Sequence, residues 1–512
     1  MEVNVSIQDY LRDRGPATAA TIGAWLQAHG VKAEAARKRL SRVLPPVHSF
    51  PVPLFPKGTR FMYLQDQRES ERFWTALHRD LRTSGSVYGM ALDGLLARRG
   101  ATTAAEFPVI SGATVVPIKR QVTAETVLDR LEAARLVTQI NYGEGPLVLL
   151  HQSTLGLADH QGIKSRATVE RIILDGMRDW ARNIGAASYN QIAVRGEETL
   201  KPVQQFRFDL VGPSYLLPLQ RGDRRSPGFL VADVFSDGEL DEFHVRYFLR
   251  KAKALHTTLA SATILPILVA NEFTPDALRA GHAAGVLMAT PKTLFGKRVG
   301  EALRTLLTTL NNAAAYASAD SPNRLIALIE TLKDIEGRSQ NLRGPLFELL
   351  AAYLVRRDAV SIDVGVRVRD PKTAEMAEID ILKVLQMASQ FVAIECKARE
   401  PGGIVEVDEV QHWLRKTSVI QNGLRQNRDR EAEVSFEIWT TGDFSAEALA
   451  LLTDQKAART RSRIDWKSGS DVLALATKLR EKAIGEVLRQ HFLNHPLATI
   501  TPKLEKLAAP TR

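Results

Sequence analysis

The chain has 512 residues, of which 45% are hydrophobic and 25% charged, a balance that excludes wholesale disorder and supplies apolar surface for three or four domains. A formal net charge of +10 favours a polyanionic partner, and a single cysteine, Cys396, excludes an intrachain disulfide and any cysteine-based zinc site. No apolar run approaches a membrane span and the start, Met1 to Val5, has neither region of a leader, so the expected compartment is the cytoplasm, without membrane contact.

In chain order, the first predicted unit is residues 1–66. Apolar spacing puts short helices over 6–14, 18–29 and 32–43, separated by Gly15-Pro16 and Gly30, and the β-type residues from Val47 to Leu64 fold back around Pro56-Lys57-Gly58-Thr59. That is the order of a winged helix-turn-helix. Its third helix carries Arg37, Lys38, Arg39 and Arg42 and its wing carries Lys57 and Arg60, which are candidate contacts to DNA phosphates. A solvated helix face, or a surface for protein contacts, is the alternative. A second unit, residues 67–155, repeats the order with helices over 71–84, 88–99 and 123–136 and a hairpin around Asn141-Tyr142-Gly143-Glu144-Gly145. Its third helix carries Glu125, Asp129 and Glu132, which would repel phosphate.

Residues 160–318 and 319–492 hold one pattern twice, weakened in the first instance. In the second, Leu346 to Val355 has helical spacing and carries Glu348, whereas Glu378–Leu382 and Phe391–Lys397 are β-rich runs carrying Asp380 and the Glu395-Cys396-Lys397 triplet. Alternate strand residues share a face, so Glu395 and Lys397 point one way and Ile394 and Cys396 the other. With Asp380 at the end of the neighbouring strand and Glu348 reaching across from the helix, several oxygens converge on one point suited to Mg²⁺. Carboxylates so placed hold a metal that polarises a phosphodiester and lowers the pKa of the attacking water. Lys397 orients that water or neutralises charge on phosphate oxygens. Glu-x-Lys alone is expected on the order of once in a chain this long. What singles it out is the order helix-Glu, strand-Asp, strand-Glu-x-Lys, with Arg415-Lys416 on a following helix.

The segment from about Gly337 to Ile484 resembles the PD-(D/E)XK nuclease superfamily, most closely its Mrr-type restriction and Holliday-junction-resolvase-like branches. Phe347-Glu348 is similar to the helical Phe-Glu of that branch, Asp380 to its strand Asp, and Glu395-Cys396-Lys397 to its (D/E)-x-K; Gln411 sits where many members carry a polar residue on the next helix, and Ile379 stands where the pattern has Pro. The resemblance implies an α/β fold with a restriction-endonuclease-like mixed sheet flanked by helices. It implies Glu348, Asp380, Glu395, Lys397 and Gln411 as catalytic residues, and Mg²⁺, with Mn²⁺ as a substitute, held by Glu348, Asp380, Glu395 and the Cys396 backbone carbonyl. DNA is the implied substrate.

Upstream, Val245 to Lys251 parallels Val410 to Lys416, and Phe273 to Leu278 parallels Phe444 to Leu449. Glu170, Asp209 and Asp233 stand for Glu348, Asp380 and Glu395, but Phe235 stands where the lysine should be. This copy therefore reads as a pseudonuclease whose acids are surface or hydrogen-bonded residues, with Lys251 the nearest lysine able to stand in. Arg250-Lys251 and Arg415-Lys416 are expected as paired phosphate clamps. Ala317 to Pro322 is the expected flexible point, followed by a helix over 324–335; a helix from Ser470 to about Phe492 closes the second copy, and 493–512 is a tail.

The expected architecture is thus two winged helix-turn-helix domains followed by the mixed sheet twice. The expected function is Mg²⁺-dependent DNA cleavage, with defence against foreign DNA as its setting. A non-catalytic DNA-binding or regulatory protein on the same scaffolds, and a structure-specific repair nuclease, are the alternatives. A homodimer and an unidentified protein partner stay open. Gly-x4-Gly-Lys-Ser/Thr is absent, so ATP-driven translocation is not encoded in this sequence.

Overall fold

The computed structural model describes residues 5–494 except 120, 143–144, 152–157, 159–161, 221–225, 260–261, 312–322, 324–325, 331–342, 374, 386–389, 428–431 and 460–461. The expected flexible point at Ala317 to Pro322, most of the helix expected over 324–335, and the tail from Pro496 lie outside the described residues. The chain divides into two compact units, one of Met1–Ile140, Gly145–Ile163 and Met177–Thr290 and the other of Asn141–Glu144, Lys164–Gly176 and Pro291–Arg512. Each is α/β, with a mixed sheet flanked by helices. Among the described residues no helix is long and apolar enough to cross a membrane.

The first unit opens with α1 (Ile7–Arg14), β1 (Ala17–Thr18), α2 (Ala19–Ala28), α3 (Ala33–Ser41), β2 (Val47–Ser49) and β3 (Phe61–Leu64). Caps fix the helix starts: Ser6 and Asp9 form a reciprocal capping box for α1, and the Thr18 hydroxyl accepts the Thr21 amide at the head of α2. β3 lies central in an antiparallel sheet of order β1-β3-β2, over a core that includes Leu11, Ile22, Leu26 and Met62. α3 stops at Ser41, two residues short of the expected end, because Leu44 precedes the Pro45-Pro46 pair and the residue before a proline is pushed out of helical conformation. Arg42 therefore sits just beyond the helix.

Next come α4 (Glu71–Thr83), α5 (Val87–Ala97), β4 (Ala101–Thr103), α6 (Phe107–Ile110), α7 (Ala124–Ala133), β5 (Val137–Tyr142) and β6 (Gly145–Leu150), the strands pairing in the order β4-β6-β5. After α8 (Ile163–Asn183) follow β7 (Ala193–Val194), β8 (Leu210–Ser214), β9 (Gly228–Leu240), α9 (Arg246–Thr258), β10 (Ile264–Phe273), α10 (Pro275–Ala283) and β11 (Leu287–Ala289). The sheet runs β11-β10-β9-β8-β7, antiparallel between β7, β8 and β9 and parallel between β9, β10 and β11. Its centre, Leu230 to Phe235, is buried on both faces, which is why that strand reads as a nearly continuous apolar run interrupted by Asp233. Phe107, Ile110, Tyr247, Phe248 and Leu268 belong to one core, so the helices before this sheet and the sheet itself share their apolar interior.

The second unit holds the Lys164–Gly176 part of α8, then α11 (Pro291–Phe295), α12 (Lys297–Asn311), α13 (Arg343–Val355), β12 (Ser361–Arg369), β13 (Met376–Leu385), β14 (Gln390–Lys397), β15 (Ile404–Val405), α14 (Val407–Asn427), β16 (Glu433–Thr440), β17 (Asp443–Phe444), α15 (Ala446–Ala458), β18 (Ile464–Lys467), α16 (Gly469–Lys478) and α17 (Lys482–Val487). Its sheet runs β12-β13-β14-β16-β18, antiparallel across the first three strands and parallel thereafter. The closing helix expected from Ser470 to Phe492 is broken. Arg480 takes the left-handed φ of 62° and the Glu481 amide reaches back to the Ala476 carbonyl, a turn that ends α16 before α17 begins.

Candidate active site

α13 is buried on all sides from Leu346 to Val355, and Glu348 is the one charged residue in that stretch. A carboxylate in an otherwise apolar helix needs a partner: the Lys164 ammonium of α8 is 3.5 Å away, and the neighbouring strand β13 brings two further acids to the same ammonium. Glu378 and Asp380 are two residues apart on that strand and so share a face. Asp380 lies inside β13 and not at its end as expected; what ends there is the pairing. The β13–β14 ladder stops at Ile381 and Ile394, and beyond it the Asp380 Oδ2 accepts the Cys396 amide at 2.8 Å. On the other side, the β12–β13 ladder is interrupted at Gly365, whose φ of 67° no larger side chain adopts readily, directly opposite Asp380.

Glu395 and Lys397 share a face of β14, with Nζ donating to Oε1 at 2.7 Å. Lys416 reaches the same Glu395 oxygen from α14 at 3.8 Å. Cys396 is buried, and burial together with the Asp380 and Glu348 charges pushes its thiol well above the ordinary range. It is an inert core residue. Glu348, Glu378 and Asp380 gather around Lys164, near the start of α8, whose Nζ stands 3.5, 3.1 and 3.1 Å from their carboxylates. Burial and the Asp380 charge push the Glu348 carboxyl up to about 8, against the opposing pull of Lys164. Burial and Asp380 also raise Glu395, while Lys397 and Lys416 oppose them. For Lys397 burial acts to lower the pKa, but the Glu395 carboxylate outweighs it and the ammonium is held above its usual value.

The expected residues Glu348, Asp380, Glu395 and Lys397 are thus brought into one neighbourhood. Gln411 is exposed on α14, one turn before the exposed Arg415. Lys416, expected as a phosphate clamp, faces Glu395. Sequence reasoning missed Lys164 and the part of Glu378; the latter was legible as the i−2 neighbour of Asp380 on a strand, whereas nothing local marks Lys164. Among the described residues no three Asp, Glu, His or Cys side chains stand close enough together to coordinate a metal directly. The ammonium accounts for this spacing in the Glu348, Glu378 and Asp380 group, because N···O distances of 3.1–3.5 Å hold the oxygens farther from their common centre than the roughly 2.0–2.1 Å that Mg²⁺ takes.

The acids of the weakened upstream pattern have a different fate. Asp209 and Asp233 are fully buried, as is Glu170, so of the two expected places, surface or hydrogen-bonded, Asp209 and Asp233 take the hydrogen-bonded one. Asp233 Oδ2 accepts Lys251 Nζ at 2.6 Å and the Tyr247 hydroxyl at 3.0 Å. Asp209 takes a two-pronged contact from Arg195 at 2.9 and 2.8 Å and accepts the Val234 amide at 3.0 Å. Arg195 also donates to Glu106 at 2.8 Å, and Arg98 stacks over Phe235 at 4.6 Å. The phosphate clamp expected of Arg250 and Lys251 is corrected on the same ground. Lys251 lies on the apolar face of α9 with Tyr247, Phe248 and Leu255, is fully buried, and also donates to the Val109 and Arg207 carbonyls, so no phosphate reaches it; Arg250 is half-buried. Burial pushes Asp233 up to about 6, which Lys251 partly offsets.

Arg37, Lys38, Arg39, Arg42, Lys57 and Arg60 are all exposed. Arg39 donates to the Val5 carbonyl at 3.0 Å and Arg60 to the Leu40 carbonyl, so these two guanidinium groups are oriented by the fold.

No protein-family model matches the chain, and no characterised protein matches it. A crystal structure of "Protein of Unknown Function AF1548" aligns with 26% of this chain and 64% of its own length at 15% identity, with a TM-score of 0.20. The chain thus spans less than two thirds of that protein, and so low a score defines neither fold nor activity.

Proposed function

We propose that the chain is a Mg²⁺-dependent DNA endonuclease of the PD-(D/E)XK class, with Mn²⁺ as a substitute ion. The observation that carries this reading is the end of the β13–β14 ladder at Ile381 and Ile394, which frees Asp380 on one strand and the Glu395–Lys397 pair on the other beside the buried Glu348. The donor set fits a cation, since three of its acids already surround an ammonium. Glu348, Asp380, Glu395 and the Cys396 carbonyl would hold the ion, with Glu378 joining them. The chemistry such an ion would supply there is polarisation of the scissile phosphate and a lowered pKa for the attacking water. Lys397, fixed by Glu395, neutralises charge developing on the phosphate oxygens, and Lys416 adds a second positive charge beside the same carboxylate.

The proposed degenerate copy is supported by register. The first unit's mixed sheet has the same strand order and the same sense of pairing as the second's. Leu210 pairs with Ala232 as Ile381 pairs with Ile394, the alignment that sets Asp209 against Asp380 and Asp233 against Glu395. Asp209 then caps the Val234 amide as Asp380 caps that of Cys396. For the N-terminal segment, the element order with β3 central supports a winged helix whose exposed Arg37, Lys38, Arg39, Arg42, Lys57 and Arg60 meet phosphates. The second helical trio, with its β4-β6-β5 sheet, supports a second one. Defence against foreign DNA is the setting that the Mrr-type resemblance suggests.

The test is to incubate the purified protein with supercoiled, linear, base-modified and branched DNA in Mg²⁺, Mn²⁺ or EDTA. Cleavage that EDTA abolishes is expected. Exclusive cutting of branched DNA would move the proposal to repair, and no cutting under any metal would overturn catalysis in favour of the scaffold reading.

A further inference from the structure

Lys164 is placed where a lysine has no evident reason to be unless the acids require it. It stands at the second position of α8, a third exposed, and its ammonium approaches three carboxylates from two other elements, Glu348 of α13 and Glu378 and Asp380 of β13, within 3.1–3.5 Å. Three buried or half-buried carboxylates without a cation repel one another, and burial removes the water that would screen them. A single positive charge on a flexible four-carbon stem relieves that repulsion and is easily withdrawn.

We propose that Lys164 is an internal counter-ion that holds this acid cluster until a divalent cation displaces it, so that the ammonium and the metal occupy the cluster in mutual exclusion. The proposal rests on the nuclease reading of the site. Its physical content is a competition. The chain supplies a tethered single charge, whereas a divalent cation would bring a double charge to the same oxygens. A cluster occupied by Lys164 nearly all the time binds metal with an affinity lowered by the fraction of time it is vacant. Lysine and not arginine suits the task, because a planar guanidinium would grip carboxylates in pairs and leave less readily. Lys397 does not share this role, since it is held by Glu395.

The experiment is calorimetric titration of the full-length protein and of Lys164→Met with Mn²⁺, in the absence of DNA. The variant is expected to bind at least about tenfold more tightly than the wild type, and its thermal midpoint without metal should fall while Mn²⁺ restores it. Equal or weaker binding by the variant overturns the exchange while leaving the metal site standing; no binding by either protein overturns the nuclease reading itself. A measurement on the unaltered chain guards against misfolding of the variant. Reductive methylation followed by mass spectrometry should find Lys164 protected without metal and modified several-fold faster in saturating Mn²⁺, and unchanged modification would sink the proposal.

Discussion

At the scale of single residues, Lys397 and Lys251 each meet an acid on a sheet, with opposite consequences. Lys397 is a quarter exposed and held at 2.7 Å from Glu395, so its charge is both fixed and available to a phosphate. Lys397→Ala is expected to lower cleavage by at least about 10²-fold, as the loss of one group aimed at developing charge does, with DNA affinity nearly unchanged because binding is spread over many phosphates. Plasmid cleavage and a filter-binding isotherm on the same preparation check both halves, and wild-type cleavage would refute the assignment. Lys251 has the same partner chemistry and no access at all. Nearby, Glu106 is half-buried, and loss of water by itself would raise its pKa, but Arg195 and Arg98 outweigh that and hold it down at about 2. Its folded carboxyl therefore binds a proton less readily than the unfolded one near 4.5, and the stability it contributes is present above that value and lost as pH falls towards 2. The size is about 3 kcal/mol. Denaturant unfolding of wild type and Glu106→Gln across roughly pH 5 to 2, the span of that titration, should show a shallower decline for the variant; parallel curves would mean that Glu106 carries no linked proton.

At the scale of elements, the basic residues of α3 and of the connection between β2 and β3 make a prediction about salt. Replacing Arg37, Lys38, Arg39 and Arg42 by Ala should weaken DNA binding and flatten the plot of log affinity against log salt by about 0.9 for each phosphate no longer neutralised. An unchanged slope would assign these residues to protein contacts. These elements were legible because their signals are local: Ser6 and Thr18 as caps, Gly15 and Gly30 as stops, and the order of Glu348, Asp380, Glu395 and Lys397 along helix and strands. Other features depend on distance. A lysine after Arg250 on a helix reads as solvated, and only the packing of α9 turns Lys251 inward. The break at Arg480 was hidden because an arginine occupies the left-handed position where glycine would have announced it. Lys164 could not be paired with acids that follow it by 184 and 216 residues. The interior position of Asp380 was missed for a related reason: a strand's length is written in its sequence, but the place where its neighbour departs is not.

At the scale of the whole molecule, the proposal gives one working centre per chain, since the first unit's Asp233 and Asp209 are already bound by Lys251 and Arg195. One centre holds one scissile phosphate in line with one water, so each engagement nicks one strand and a double-strand break needs a second chain or a second visit. Nicked circles should accumulate from supercoiled plasmid before linear DNA, and linear product should rise more than proportionally with protein concentration. Concerted linearisation by a species shown to be monomeric would mean that the first unit is catalytic. The two amide caps bear on how such a molecule sheds a function while keeping its shape. Asp380 Oδ2 closes the sheet by receiving the Cys396 amide, and Asp209 Oδ2 receives that of Val234. On the proposed alignment, an inactive copy that discarded this aspartate would leave a buried N–H unsatisfied, so selection for folding alone retains it long after turnover has gone. On that alignment the lysine has no such second duty, and position 235 carries phenylalanine where it would stand. In the proposed degenerate copy the aspartate is held by the architecture, and the lysine is the residue that marks the chemistry.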